Sequence, residues 1–400
     1  MSYFRRIGSL ATVSLALALT GCGLGPLEEP RSATVPTEAA AQTDQTGEPR
    51  ADEPRSVTLT LAGDLLWHPS LYHGAAIEAG GNGYEFGPLF ADVAPLLGSA
   101  DLSVCHQEVP LIPADEEPSG YPAFGAPAEV AAGIAEAGWQ MCTTASNHSL
   151  DRGINALYNT VSVLEDQDVA VVGTYTDVED AQTPVIVETE EGIKVSVVTG
   201  TYGLNGIAIP AGHEHAVDML DTQAMIARAE AAKEAGADIV LAAIHAGDEY
   251  VTEPNEQQVQ AATALANSDA VDMVYGHHNH VIQPWDRING KLVIYGLGNF
   301  VAQQATDEPR TYEGALAEVT FVEKDGEFEL TEASYTPTFV TKSQLADDLS
   351  GGITARVLQI NKALEDGFDP SLVDQERLEI AKSRIHDAVH FLGIDGIEEN

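Results

Sequence analysis

The sequence predicts an α/β protein in which helices cover a β-sheet. From Ser56 onward, short apolar runs typical of buried strands alternate with segments of helical periodicity. Clusters of polar side chains follow several of the apolar runs, and the carboxyl ends of strands are where α/β sheets usually carry their sites. The sequence therefore predicts that chemistry gathers at one edge of the sheet.

The strand candidates are short apolar or alternating runs. Residues 57–62 alternate apolar and polar side chains, and residues 270–275 form an apolar run that ends at Gly276. The remaining candidates are residues 101–105, 139–144, 169–173, 194–200, 239–244 and 292–297.

Helical periodicity fills the segments between the strand candidates. The candidate helices are residues 127–137, 154–167, 221–235 and 256–267. Two further helical patterns, 354–365 and 375–392, come after the last polar cluster. They predict a C-terminal helical extension over residues 341–400, either packed on the main domain or used to bind a partner.

The composition limits the partners that this chain can have. Its 400 residues are enough for one large domain or two ordinary ones, and its formal charge is −43. A surface this acidic repels nucleic acid and anionic lipid headgroups. We therefore expect no nucleic-acid partner.

Residues 1–22 predict a lipoprotein signal peptide. Arg5 and Arg6 precede an apolar stretch, residues 7–19, that is too short to span a bilayer as a mature helix. The segment Leu19-Thr20-Gly21-Cys22 resembles the bacterial lipobox, whose cysteine takes a diacylglycerol. We expect lipidation of Cys22 and an extracytoplasmic chain anchored to the bacterial cell membrane. The alternative is an ordinary cleaved signal peptide with an incidental cysteine.

Residues 23–55 predict a disordered tether. They are rich in Pro, Glu, Ala, Thr and Gln and contain almost no large apolar side chains. Such a segment cannot bury enough surface to offset the entropy of its chain. We expect the folded domain to span residues 56–340.

Two histidines in one loop give the strongest chemical signal. His278 and His280 lie two residues apart, directly after the strand candidate 270–275. Two imidazoles on one loop can both reach a borderline metal ion such as Zn, Mn or Fe.

Other polar clusters follow strand candidates in the same way. Each one alone fits a turn, a helix cap, a solvated loop or a packed core residue. Their recurrence at successive strand ends favours a divalent-metal site with carboxylate, amide and imidazole ligands. The residues are Asp64 and His68, then Glu108, then Asn147, His148 and Asp151, then His245 and Glu249, and finally Asn299.

Six motifs follow one another in a characteristic order. They are Ala62-Gly63-Asp64, Glu108-Val109-Pro110, Ser146-Asn147-His148-Ser149-Leu150-Asp151-Arg152-Gly153, His245-Ala246-Gly247-Asp248-Glu249-Tyr250, Gly276-His277-His278-Asn279-His280-Val281-Ile282-Gln283-Pro284 and Leu297-Gly298-Asn299-Phe300. In order and spacing, over roughly residues 57–339, they resemble the bacterial capsule-synthesis CapA family. Members of that family are linked to poly-γ-glutamate production and share a calcineurin-like metallophosphoesterase fold.

Three positions depart from the family pattern. His106 and Ser146 each replace an Asn, and Asn279 replaces the Pro of a His-Pro-His element. His106 keeps the ability to form hydrogen bonds or to bind metal. His277 fills a position that looks variable in the family, so we leave it out of the expected ligand set.

The resemblance implies an αββα sandwich, in which two mixed sheets are flanked by helices, and a site for one or two divalent metal ions. By analogy with metallophosphoesterases, it assigns one ion to Asp64, His68 and His280 and the other to Asn147, His245 and His278. Glu108 would replace the bridging aspartate, which leaves one ion or two as open alternatives. Two ions ~4 Å apart generate a hydroxide nucleophile and clamp the oxygens of an in-line displacement.

The resemblance also implies roles for residues around the metal. His148 would be the acid that protonates a leaving oxygen, in a motif that includes Asp151. Arg152 would steady an anionic substrate or would simply be a solvated helix residue. Glu249 and Asn299 would line the site.

Two functions from different classes remain open. One is a metal-dependent hydrolase that acts on a phosphoester, or on an amide or ester of a wall polymer, in capsular polymer synthesis or export. The other is an accessory protein that binds the nascent anionic polymer and hands it over without turnover. Expected partners are the membrane through Cys22, a capsular or wall polymer and membrane-bound polymer synthase components.

Two cysteines, Cys105 and Cys142, end strand candidates that lead into site loops. They could pair in an oxidising compartment, but neighbouring parallel strands rarely offer disulfide geometry. We therefore expect two buried free thiols.

Overall fold

The computed structural model describes residues 54–400 of the chain. The predicted signal peptide, Cys22 and nearly all of the predicted tether lie outside the described residues. Within residues 54–400, no helix is both long enough and apolar enough to cross a membrane.

Most strands of the described part belong to two sheets. In chain order the strands are β1 (Ser56–Leu65), β2 (Leu102–Gln107), β3 (Leu111–Ile112), β4 (Ala126–Pro127), β5 (Met141–Thr143), β6 (Ala170–Val172), β7 (Ile186–Glu188), β8 (Lys194–Thr201), β9 (Ile239–His245), β10 (Met273–His277), β11 (Trp285–Ile288), β12 (Lys291–Ile294), β13 (Asn299–Val301), β14 (Glu313–Lys324), β15 (Glu327–Val340), β16 (Gln344–Leu345), β17 (Gly352–Ile353), β18 (Val357–Gln359) and β19 (Glu398–Glu399). Sheet I has the order β18-β15-β14-β1-β2-β5-β6, with β13 beside β1 and β19 beside β15. Sheet II has the order β11-β12-β10-β9-β8-β7.

Helices pack against both sheets. They are α1 (Pro69–Glu78), α2 (Gly87–Phe90), α3 (Ala94–Leu97), α4 (Val130–Ala137), α5 (Gly153–Glu165), α6 (Val178–Gln182), α7 (Thr222–Glu234), α8 (Glu256–Ala266), α9 (Ile360–Asp366) and α10 (Gln375–Val389), with a 3₁₀ helix at Pro309–Tyr312. Asp221 and Asn255 cap the N-termini of α7 and α8 with their side chains, as residues of these types commonly do.

Three apolar clusters hold the layers together. Leu61 and Val104 of sheet I pack in one cluster with Val197 and Leu241 of sheet II, so the two sheets lie face to face. The outer face of sheet I packs against α1 to α4, and that of sheet II packs against α7 and α8. These layers confirm the predicted α/β class and the αββα sandwich.

The C-terminal segment differs in part from the helical prediction. The pattern 354–365 predicted a helix, but Val357–Gln359 is a strand that pairs antiparallel with β15, and only Ile360–Asp366 is helical. Val357 and Leu358 are buried at the edge of sheet I, and this pairing outweighs local helix propensity. The helix predicted over 375–392 is present as α10. The C-terminal segment therefore completes sheet I as well as adding helices.

The expectation of two free thiols is corrected by the structure. Cys105 on β2 and Cys142 on β5 are register partners with Cα atoms 4.5 Å apart, and their sulfur atoms form a disulfide. This Cα separation lies at the short end of the range for disulfides. Both side chains leave the same, helix-covered face of the sheet, which is why adjacent parallel strands can be bridged at this register.

Candidate metal centre

The site forms where the carboxyl ends of parallel strands from both sheets meet. On sheet I, Asp64 lies near the end of β1, in register with His106 of β2 on one side and Asn299 of β13 on the other. On sheet II, His245 and His277 are the last residues of β9 and β10 and are register partners. The predicted clustering at strand ends is therefore present.

Close backbone contacts require glycine in two of the motifs. A Cβ atom on Gly63 would overlap the carbonyl oxygen of Gly298, and one on Gly276 would overlap that of Tyr295. The first contact accompanies a hydrogen bond from the Asp64 backbone N–H to Gly298 O, 3.0 Å long. Glycine thus lets the strand ends that carry the ligands lie directly against the backbone of Gly298 and Tyr295.

Asp64 contacts two histidines of the centre, one through each carboxylate oxygen. Its Oδ1 lies 3.1 Å from His277 Nδ1, and its Oδ2 lies 3.1 Å from His280 Nδ1. Burial opposes ionisation of this carboxyl, but the hydrogen bonds from the two imidazoles outweigh it and lower the pKa of Asp64. Asp64 is therefore a buried carboxylate.

The Glu108 carboxylate lies near His245 and His280. The side chain is buried, and neither Oε1 nor Oε2 has a hydrogen-bond partner within residues 54–400. Oε1 lies 3.8 Å from His280 Nε2 and 3.9 Å from His245 Nε2. Burial raises the pKa of Glu108 to about 7, although the positive charge of His280 opposes that shift.

The histidine loop has an unusual backbone. His278 and His280 have φ angles of +92° and +58°, a region that non-glycine residues rarely occupy. This conformation aims both imidazoles inward, where His280 Nδ1 also lies 3.0 Å from Asn299 Oδ1. Strained backbone of this kind is typical of functional sites.

Asn147 and His245 are joined directly. His245 Nε2 lies 2.7 Å from Asn147 Oδ1, and the Asn147 amide nitrogen donates to Asn205 Oδ1 at 3.1 Å. His278 lies beside this pair, with its ring centroid 4.9 Å from that of His245. The Asn147, His245 and His278 set expected from the resemblance is thus brought together.

The donor set fits a divalent metal ion. Three overlapping groups each bring three ligand atoms within 4.8 Å of one another: Asp64, His106 and His245; Glu108, His245 and His278; and Asp64, Glu108 and His280. Several of their polar atoms are buried and have no partner in the described part of the chain, among them both Glu108 oxygens, His106 Nε2 and His278 Nδ1. Buried polar atoms normally have partners, so atoms of this kind fit a site that binds a cation.

His148 and Asp151 form a pair at the edge of the centre. His148 Nδ1 lies 2.6 Å from Asp151 Oδ2, which also accepts from the Phe124 backbone N–H at 2.9 Å. Burial alone would lower the pKa of His148, but the Asp151 hydrogen bond and the charge of Glu108 outweigh it and raise that pKa.

Three further predicted residues also lie outside the donor cluster, which is the set of six residues in the three ligand groups. His68 belongs to none of the three groups, and its Nδ1 accepts from the Gln303 backbone N–H at 3.1 Å. The Arg152 guanidinium donates to Glu116 Oε2 and Ser119 Oγ, both at 2.7 Å, and so holds a surface loop. Glu249 is exposed, but its charge acts on Glu108 and His280.

Two histidines join the centre beyond the expected set. His106 belongs to one of the ligand groups, and His277 binds Asp64. Their rings stack with centroids 4.1 Å apart. His106 could have been identified from the sequence, because it departs from the family pattern. For His277, the only indication in the sequence was its position next to His278.

Comparisons with known proteins agree with the motifs. The family model described as bacterial capsule synthesis protein PGA_cap matches residues 58–304. The capsule biosynthesis protein CapA of Bacillus anthracis is 27% identical over 277 residues, which are 66% of this chain and 64% of that protein. The PGA biosynthesis protein CapA of Bacillus subtilis strain 168 is 31% identical over 207 residues, which are 50% of this chain and 53% of that protein. The matched regions thus span between half and two thirds of these relatives.

Among solved structures, the calcineurin-like phosphoesterase YfkN of Bacillus subtilis aligns with a TM-score of 0.42 and 14% identity, over 83% of this chain and 97% of that one. The family match covers more than half of the sequence and includes every residue of the donor cluster. This chain therefore belongs to the bacterial capsule synthesis protein PGA_cap family.

Proposed function

We propose that this chain is a cell-envelope protein of the CapA type that acts in the synthesis or export of poly-γ-glutamate or a related capsular polymer. We further propose that it carries a metal-dependent, phosphoesterase-like hydrolytic site. The observation that supports a metal-dependent site is the Glu108 carboxylate, which is buried among three imidazoles and has no hydrogen-bond partner in the part of the chain that the structure describes. An arrangement this costly to bury is typical of a metal centre.

The residues that would hold metal are Asp64, Glu108, His245, His278 and His280, with Asn147 fixing the orientation of His245. Carboxylate and imidazole ligands suit Zn, Fe or Mn. One or two such ions would supply Lewis acidity and a water of lowered pKa.

His148 would supply the proton of the reaction. Asp151 fixes Nδ1 of the ring, so Nε2 is the nitrogen left to serve a leaving oxygen. Its raised pKa keeps the ring protonated over more of the neutral range. The His148 side chain is 9% exposed, which keeps bulk water away while leaving one edge accessible.

The acidic surface limits how this chain could contact an anionic polymer. The formal charge of −43 opposes extensive wrapping of a polyanion, because like charges repel. Contact would therefore be local, through the metal centre. A lipid anchor at Cys22 would hold the chain at the membrane, close to polymer synthase components.

The alternative is a non-catalytic accessory protein that binds the nascent polymer and hands it over. Arg152 favours this reading in part, because its guanidinium is bound by Glu116 and Ser119 and is not free to clamp a phosphoryl group. In that case the metal centre would serve binding alone.

Metal content and turnover separate these functions. The full-length chain is loaded with Mn²⁺, Fe²⁺ or Zn²⁺ and assayed for metal by plasma mass spectrometry and for hydrolysis of phosphomonoester, phosphodiester and γ-glutamyl substrates. One or two equivalents of metal, lost in a His278→Ala/His280→Ala variant and accompanied by turnover, are expected. Metal without turnover, together with full cellular function of His148→Ala, would favour the accessory role. No metal uptake would exclude the hydrolytic proposal.

A further inference from the structure

We propose that His106 is a metal ligand, and that with Asp64 and His245 it forms a nitrogen-rich cation position at the inner end of the centre. This inference rests on the proposed metal centre and extends it. The resemblance gives Asn as the usual residue at this position, so a histidine ligand here departs from the family pattern.

The position of His106 is set by the pairing of β1 with β2. Its Cα is the register partner of Asp64, and its ring lies 4.9 Å from that of His245. One ligand atom from each of these three residues lies within 4.8 Å of the others. The three side chains come from different strands, so the fold itself places them.

The hydrogen bonds around Nδ1 favour the His106 tautomer that can bind metal through Nε2. Nδ1 lies 2.9 Å from Thr143 Oγ1, and that hydroxyl can donate onward to the Cys105 carbonyl oxygen at 3.4 Å. If Nδ1 donates to Thr143, its proton is fixed there and Nε2 carries a lone pair. Metal-binding histidines usually have their second nitrogen fixed in this way.

A packed core histidine is the competing explanation, and the orphaned nitrogen argues against it. The His106 side chain is fully buried, and its Nε2 has no hydrogen-bond partner among the described residues. In the same described region, Nε2 of the stacked neighbour His277 also has no hydrogen-bond partner. Burying two unsatisfied imidazole nitrogens side by side costs free energy that a bound cation would recover.

The donor types indicate the class of metal. Two imidazoles and one carboxylate suit a borderline ion such as Zn²⁺, Fe²⁺ or Co²⁺, whereas Mg²⁺ and Ca²⁺ prefer oxygen ligands. Glu108 is absent from this group, although it belongs to both others. Substitution of His106 and of Glu108 should therefore change metal binding in different ways.

The test compares the full-length chain with His106→Asn and His106→Gln. Both amides keep a hydrogen-bonding group, and His106→Asn restores the family residue. His390→Asn, at the C-cap of α10 and outside the centre, is the matched control. Zn²⁺ stoichiometry is measured by plasma mass spectrometry, affinity by competition with a chromophoric chelator, and coordination by the visible absorption of the Co²⁺ form. Circular dichroism reports folding.

Loss of about one equivalent of Zn²⁺, or a weakening of its affinity by at least about tenfold with an altered Co²⁺ spectrum, is expected in both variants but not in the control. Unchanged stoichiometry, affinity and spectrum would assign His106 to the packed core and leave the remaining centre intact. A parent chain that takes up no metal would overturn the proposed function as well.

A second measurement needs no variant. Crystals of the parent chain soaked in Zn²⁺ are examined by anomalous scattering at the zinc edge. A peak about 2.0–2.1 Å from His106 Nε2 is expected. Zinc peaks bound only by the other ligands would refute the assignment.

Discussion

The Nδ1 atom of His148 lies 2.6 Å from Oδ2 of Asp151, and these two residues are separated by only one turn of chain. The carboxylate both orients the ring and favours its protonated form. The same oxygen accepts from the Phe124 backbone, so Asp151 is itself fixed. A proton donor is therefore held in one orientation at the mouth of the centre.

His148→Ala is expected to lower hydrolysis of an unactivated phosphodiester by about 10²–10⁴-fold, because a positioned general acid contributes on that order. The loss should be smaller for a substrate with a nitrophenolate leaving group, which needs no proton. Rates on the two substrates are measured beside metal content. Equal losses on both would argue against a proton-donating role.

Glu108→Gln is expected to separate metal binding from intrinsic stability. Without metal, the variant should unfold at the same temperature as the parent or higher, because a buried carboxylate without hydrogen bonds is removed. With metal at about 100 times its dissociation constant, the parent should gain about 2.7 kcal/mol and the variant much less. Thermal unfolding with chelator and with Zn²⁺ measures both effects. A lower stability of the metal-free variant would contradict this account.

The sequence was informative about the centre where a ligand follows its own apolar run. Asp64, Glu108 and His245 each lie at or just after a strand that the hydrophobic pattern predicted. His106 and His277 also follow predicted strands, but their roles could not be assigned, because these depend on which strands become neighbours. The register of Asp64 with His106 joins residues 42 positions apart, and no local pattern encodes that pairing.

The same limit explains the corrected expectations. The disulfide depends on the register of Cys105 with Cys142 across two strands. The strand Val357–Gln359 is apolar enough for either a helix or a strand, and only the free edge of β15 decides between them. Arg152 follows the His148 motif in sequence, but its partners Glu116 and Ser119 come from a distant loop. In each case the deciding contact is long-range.

Removal of the disulfide is expected to destabilise the fold. The bridge joins residues separated by 37 positions, and a loop of that size is typically worth about 2–4 kcal/mol. Urea unfolding of a Cys105→Ala/Cys142→Ala variant measures the change. Alkylation with and without reductant, followed by mass spectrometry, establishes whether the parent thiols are paired. Full alkylation of denatured, unreduced parent would refute the bridge.

Asp218 should give the protein a pH-dependent stability that is independent of the metal centre. Its carboxylate lies 2.7 Å from both Arg228 Nη2 and the Tyr175 hydroxyl, but burial dominates and raises its pKa to about 6 from 3.8. The folded chain therefore keeps a proton that the unfolded chain loses. The stability that Asp218 contributes to the folded state is fully present below about pH 4 and is lost as the pH rises through about 6.

The free energy of unfolding that Asp218 contributes should fall by about 3 kcal/mol at most, because each unit of pKa difference between the folded and unfolded chain corresponds to about 1.36 kcal/mol. Because other carboxylates titrate in the same window, the informative quantity is the parent's free energy of unfolding minus that of Asp218→Asn. This difference should fall between pH 4 and pH 6. A difference that rises over the same window would show that the ion pair with Arg228 outweighs burial.

Gly63→Ala is expected to damage both the fold and the centre. The added Cβ would overlap the Gly298 carbonyl oxygen, which accepts the backbone hydrogen bond of Asp64. Backbone cannot move aside as a flexible side chain does, so we expect a loss of about 1–3 kcal/mol in the free energy of unfolding. Because Asp64 must shift with the strand, Zn²⁺ affinity should fall as well.

Gly203→Ala is the matched control, since a Cβ there meets no atom of the described residues within 4 Å and its φ is not in the left-handed region. Urea unfolding in chelator and zinc competition are measured for both variants. Equal stability and equal affinity in the two would show that β1 tolerates a side chain at this contact.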